Sequence, residues 1–144
     1  MAANVVLKAF VVWIAILVIA IGNGIFREAV LLDQFTNATA FLMSGLLLSF
    51  FIIAIAYLSL PWLGIRESRA LILTGLGWLI LTLVFEFSFG LAQGMPMSQI
   101  LEAYTFRDGN IWPLVLMVTA ASPWMAGKLR GVSGQHPSAN LNYE

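Results

Sequence analysis

The stretch from Ala70 to Ala92, ALILTGLGWLILTLVFEFSFGLA, decides the fold: its 23 residues carry one ionisable side chain, Glu86. A bilayer core of about 30 Å takes about 20 apolar residues at about 1.5 Å of helical rise each. With no water in the hydrocarbon, the backbone must satisfy its own hydrogen bonds, so such a run is helical. Outward from it the pattern repeats. Ala9 to Phe26 is neutral, Gln34 to Ile65 is neutral with Ala38–Leu60 almost wholly apolar, and Gly109 to Gly127 is neutral again. The reading is an all-α membrane protein, a four-transmembrane-helix antiparallel bundle spanning about 5–26, 38–60, 70–92 and 110–127 within one domain (residues 1–130). A polar, flexible tail is expected over 131–144, with His136 an ordinary solvated residue in it.

Composition agrees. Of 144 residues, 60% are hydrophobic and 10% charged, against about 25% charged in a soluble domain. Seven basic residues balance seven acidic ones, so there is no cationic stripe for nucleic acid. With no cysteine and one histidine, disulfides, thiolate chemistry and Cys- or multi-His metal sites are excluded. No cofactor, no metal and no catalytic residue is expected. The first run is longer than a signal-peptide core and ends in Arg27-Glu28 rather than small residues, so it reads as a retained span. Lys8, Arg66, Arg69, Lys128 and Arg130 fall on one side of a four-span bundle and Arg27 and Arg107 on the other. That asymmetry predicts both termini in the cytoplasm.

Polar residues converge towards the opposite, outer side. An acid at bilayer depth is costly and faces protein or water, which makes Glu86 the first candidate. Gly75, Thr82 and Gly90 lie on or near its face of the helix and allow close approach of a neighbour. Asn23 and Arg27 stand one turn apart at the end of the first span, followed by Glu28. Tyr104, Arg107, Asp108 and Asn110 precede the fourth span, with Asn110 as a cap. These eight residues form the predicted binding or ion-pair cluster. Arg27 is the expected partner of Glu86, because a guanidinium grips a carboxylate with two parallel hydrogen bonds.

Smaller features complete the pattern. Ser98 is expected to cap a short helix over Gln99–Glu102, with Ile100, Leu101, Tyr104 and Phe106 in an ordered outer loop carrying an aromatic anchor. Pro123 is expected to kink the fourth helix and free the Thr119 carbonyl. Gly45 and Ser49 mark a contact face of the second helix. The five tryptophans read as interfacial belts and packing.

At these residues the chain resembles an uncharacterised family of small bacterial four-span integral membrane proteins. The matching elements are Asn23-Gly24-x-x-Arg27-Glu28, Thr82-Leu83-x-Phe85-Glu86-Phe87-x-Phe89-Gly90, Tyr104 and Gly109-x-x-Trp112. The resemblance implies that relatives often carry a histidine after the Gly90 position, where this chain has Leu91, and an asparagine after the tyrosine, where it has Thr105. The resemblance implies a bacterial inner-membrane location and brings no activity with it.

The residues leave three function classes open. The first is a small-solute or ion transporter or channel subunit working as an oligomer, since four helices leave little room for a private pore. The second is an accessory, assembly or lipid-binding subunit of a larger membrane complex, with the Glu86–Arg27 pair purely structural. The third, an enzyme, ranks last for want of a nucleophile and base in a recognisable arrangement. Lipid, a second copy of the chain or a larger membrane complex are the expected partners.

Overall fold

The computed structural model describes residues 3–131, and these are helical with no strand among them. Four long helices and one short one follow in order: α1 (Ala3–Gln34), α2 (Asn37–Leu63), α3 (Ser68–Ala92), α4 (Met97–Glu102) and α5 (Trp112–Leu129). Helices α1, α2 and α3 are each long and apolar enough to cross a membrane. Helix α5 is shorter and holds Pro113, Thr119, Ser122, Pro123 and Lys128 within its 18 residues. It tolerates them by packing against both α2 and α3, which buries Thr119, Ser122 and Pro123 with Val115 and Ala126. The expected tail, with His136, lies outside the described residues from position 132 onwards.

The surface is the reverse of a soluble protein's. Leu7, Phe50, Leu58, Met117 and Leu129 are all exposed, while Ser44, Thr74, Thr119 and Ser122 are buried. In lipid there is little hydrophobic drive between helices, so association rests on close packing and polar contacts. Gly75 supplies the closest packing: a Cβ there would sit 1.8 Å from the Ala120 carbonyl oxygen of α5. The contact face at Gly45 has the same partner helix, for a Cβ at Gly45 would strike the Ile111 side chain, which leads into α5.

Two cross-links tie α1 to α3. The Trp78 indole donates to the Ala9 carbonyl at 2.9 Å, and the Trp13 indole donates to Thr82 Oγ1 at 3.0 Å. Trp13 and Trp78 are thus buried donors with named acceptors, as an indole N–H away from water requires, while Trp62 is exposed.

Both in-helix prolines have their lost hydrogen bond replaced. Pro123 cannot donate to Thr119, and the Ser122 hydroxyl takes that carbonyl at 2.9 Å. Pro61 cannot donate to Tyr57, and Arg130 Nε takes that carbonyl instead. The same guanidinium stacks on the Tyr57 ring, Lys8 donates to the Trp62 carbonyl at 3.1 Å, and Lys128 lies over the Trp124 ring. This end of the bundle, where α1 begins and α5 finishes, therefore gives each of these three cations an aromatic or carbonyl partner.

The opposite end departs from the sequence reading in three ways. Helix α1 does not stop near Phe26 but continues to Gln34 through a π-turn over Arg27–Leu31, closed by the Leu32 amide on the Arg27 carbonyl. Thr36 then caps α2 by accepting from the Thr39 amide. Ser98 is not a cap: α4 starts at Met97, with Pro96 before it in an extended conformation, and no side chain caps it. The fourth helix starts at Trp112 rather than Asn110, whose Oδ1 accepts from the Trp112 amide. Before it, Asp108 and Gly109 both have positive φ, and Gly109 lies so close to the Ala38 carbonyl that a Cβ would be 2.2 Å from it.

Candidate functional site

Beyond the Trp13–Thr82 link, α1 and α3 face each other across a cavity of about 500 Å3. Ile16, Ala20, Asn23 and Arg27 line it from α1, and Phe85, Glu86 and Phe89 line it from α3. Helix α2 contributes Phe41, Ser44 and Leu48, while Tyr104 and Asn110 close it from the chain between α4 and α5 and Trp112 from the start of α5. The volume lies within the range of about 300–1,000 Å3 usual for small-ligand sites. Mostly apolar walls with a few polar groups fit the same class.

Glu86 is half-buried in this wall. Its Oε2 accepts from the Tyr104 hydroxyl at 2.5 Å and from the Trp112 indole at 3.2 Å. Both donors arrive because the segment after α3 folds back: Ile100 of α4 packs against Gly90, where a Cβ would meet it at 2.9 Å, and Tyr104 stacks on Phe87 at 5.6 Å between centroids. Asn110 steadies the return by donating to the carbonyls of Ala103 and Thr105, at 2.8 and 2.9 Å. The Tyr104 phenol is pushed up from its ordinary value, first by burial and then by the Glu86 carboxylate that accepts its hydrogen bond.

The expected Arg27–Glu86 pair is not formed. Arg27 stands at the first residue of the π-turn, its guanidinium over the Phe41 ring at 4.4 Å, and its ion pair is with the neighbouring Glu28 at 3.5 Å. That contact lacks hydrogen-bond geometry, so Arg27 Nε is buried with no acceptor. The physical reason lies at both partners. The π-turn and Phe41 fix the guanidinium, and neutral donors from the returning loop occupy the carboxylate. Asn23 repeats the theme: its Oδ1 accepts from Ser44 at 2.5 Å, while its Nδ2 is buried without an acceptor.

Of the eight residues proposed from sequence, Asn23, Arg27, Glu86, Tyr104 and Asn110 line the cavity. Glu28, Arg107 and Asp108 do not. Glu28 and Arg107 are exposed at 61% and 76% of the side chain, and Arg107 sits 3.9 Å from exposed Glu102, a surface contact worth little. Asp108 is exposed at its left-handed turn position. Sequence reasoning missed Trp112, Ser44 and Phe41. Trp112 had one signal available, an indole two residues after a capping Asn and therefore held at a fixed angle. Ser44 and Phe41 had none, since an apolar span gives no rotational reference. Among the described residues no group of three or more His, Asp or Glu is disposed to hold a metal ion.

Comparison of the chain with known protein families, with characterised proteins and with solved structures finds no match. The functional reading therefore rests on the geometry of this site.

Proposed function

We propose that the chain crosses a bacterial inner membrane four times as an antiparallel bundle, with both termini cytoplasmic. In this reading the cavity receives a small solute from the outer side, as the binding site of an oligomeric transporter subunit. One observation carries it: the Glu86 carboxylate lies in the wall of a cavity of about 500 Å3 instead of in a closed ion pair. An intramembrane acid facing an open space is the usual mark of a substrate or ion pathway. A purely structural Glu86–Arg27 clasp would need the direct contact that the two side chains do not make.

The four-span count is supported by α5, whose 18 residues cover about 27 Å and which lies alongside α2 and α3. The orientation is supported by the basic residues at the Lys8–Arg130 end.

The cysteine-free chain offers a direct test. In reconstituted vesicles, Ala20→Cys in the cavity wall should react with an impermeant thiol reagent added to the outer face, while Ala126→Cys, fully buried, should not. No labelling at residue 20, or labelling from the cytoplasmic face alone, overturns the outward-open cavity. Transport is read as solute uptake into the same vesicles: wild-type flux lost in a folded Glu86→Gln variant is expected. Equal flux in both, or none in either, overturns the transport half.

A further inference from the structure

We infer that the Asn23–Arg27 end of the cavity is a binding site for the oxyanion headgroup, phosphate or carboxylate, of a membrane amphiphile whose apolar tail lies along the α1–α2 wall. The inference rests on the cavity being a ligand site and not on the solute-transport half of that reading, and it names a membrane amphiphile as what the Asn23–Arg27 end holds.

Donors set the headgroup. Arg27 and Asn23 are one helical turn apart on α1 and both residues line the cavity, while Arg27 Nε and Asn23 Nδ2 are buried without an acceptor. Asn23 is 92% buried, its residue retaining 8% exposure. A buried donor left unpaired is destabilising, more so on a charged group, and two in one turn are a standing deficit that an acceptor ligand removes. The acceptor must be negative. The acid within Arg27's reach, Glu28, makes a 3.5 Å contact without hydrogen-bond geometry and is exposed. Glu86 makes no ion pair with Arg27, and its Oε2 is held by Tyr104 and Trp112. A guanidinium next to an amide N–H matches the geminal oxygens of a phosphate or carboxylate.

Walls set the tail. Below the two donors the α1–α2 side is Ile16, Leu17, Ala20, Leu48 and Ile52, with no ionisable group. A free small anion would gain nothing from that surface, whereas an acyl or isoprenoid chain fills it and continues into the bilayer. The π-turn that starts at Arg27 bears on this too. Such turns recur at functional sites because one extra residue re-aims the side chains around it.

The test is native mass spectrometry of the delipidated full chain in detergent, titrated with phosphatidylglycerol, with diacylglycerol of the same chains, and with inorganic phosphate. One phosphatidylglycerol per chain is expected, held at least about tenfold more tightly than diacylglycerol, the worth of one charge-assisted hydrogen bond. Arg27→Gln should remove that preference and Arg107→Gln should leave it intact. Equal retention of the two lipids overturns the oxyanion site, and so does a preference that survives in folded Arg27→Gln. Inorganic phosphate competing as well as the lipid overturns the amphiphile and leaves a soluble anion. Should Arg27→Gln not fold, the comparison of the two lipids on wild-type chain decides alone. Ala20 lies on the wall assigned to the tail, so Ala20→Cys is labelled in the delipidated chain and again with phosphatidylglycerol added, and protection by the lipid is expected. Reactive cysteine without lipid preference rejects the ligand class and keeps the cavity, and a cysteine unreactive even in the delipidated chain rejects both.

Discussion

The two ends of the bundle treat their cations differently. At the Lys8–Arg130 end, Arg130 fills the carbonyl freed by Pro61 and stacks on Tyr57, Lys8 donates to the Trp62 carbonyl, and Lys128 covers Trp124. At the other end Arg27 has a ring beneath it and a loose contact with Glu28, but its Nε is buried and unused, and the Asn23 amide one turn away is in the same position. One end is closed by its own residues. The other is assembled with donors to spare, beside an acid that is held but not neutralised by a cation. The contrast separates polar groups that stabilise a bundle from polar groups that a ligand completes.

That contrast can be strained by substitution, read as unfolding free energy or melting temperature in detergent. The largest effect belongs to neither end. Gly75→Val drives a side chain into the Ala120 carbonyl at the α3–α5 crossing and should cost about 3 kcal/mol, with both ends loosening together. Tyr104→Phe removes one of two donors on Glu86 and should cost about 1–2 kcal/mol. Its cost has a sign in pH. The phenol's folded-state value is raised, so the linked stability is fully present below the ordinary tyrosine value of about 10 and is lost as pH climbs through the raised one. The gap between wild type and Tyr104→Phe should therefore hold at neutral pH and close in strong alkali. An ultraviolet titration should lose its most alkaline phenolate step in the variant.

Next in size, Arg130→Gln should cost about 1 kcal/mol, because the Tyr57 carbonyl loses its donor and the ring its cation. Arg27→Gln should cost less in delipidated protein, about 0.5 kcal/mol, since it gives up the Phe41 ring contact and a loose pair with exposed Glu28 but no hydrogen bond from Nε. Equal losses at Arg27 and Arg130 would erase the distinction between the ends.

Much of the fold was legible in the sequence for a simple reason: an apolar run long enough to cross a membrane satisfies its backbone as a helix, and helix length can be counted along it. The long helices lie where the neutral stretches are, and Pro123 does free the Thr119 carbonyl, with Ser122 beside it as the replacement donor. The π-turn was not legible, because Arg27-Glu28-Ala29-Val30-Leu31 has no composition that distinguishes five residues per hydrogen bond from four. The candidate site was half legible. Charge and depth single out Asn23, Arg27 and Glu86, and Tyr104 and Asn110 follow from the cap and the loop. The partner of Glu86 was misjudged because pairing opposite charges ignores how a neutral hydroxyl and an indole, brought by a returning loop, solvate a carboxylate as well. Glu28, Arg107 and Asp108 were drawn in by proximity in sequence, and rotation about the backbone leaves them outside.

The account's central claim is that Arg27 and Asn23 are left open for a ligand while Glu86 is held by Tyr104 and Trp112. The most direct measurement is a high-resolution structure of the chain in lipid nanodiscs. It should show non-protein density within hydrogen-bond distance of Arg27 Nε and Asn23 Nδ2, with Glu86 Oε2 still on Tyr104 and Trp112. A cavity closed by a two-pronged Arg27–Glu86 pair, with no density beside Asn23, would contradict it.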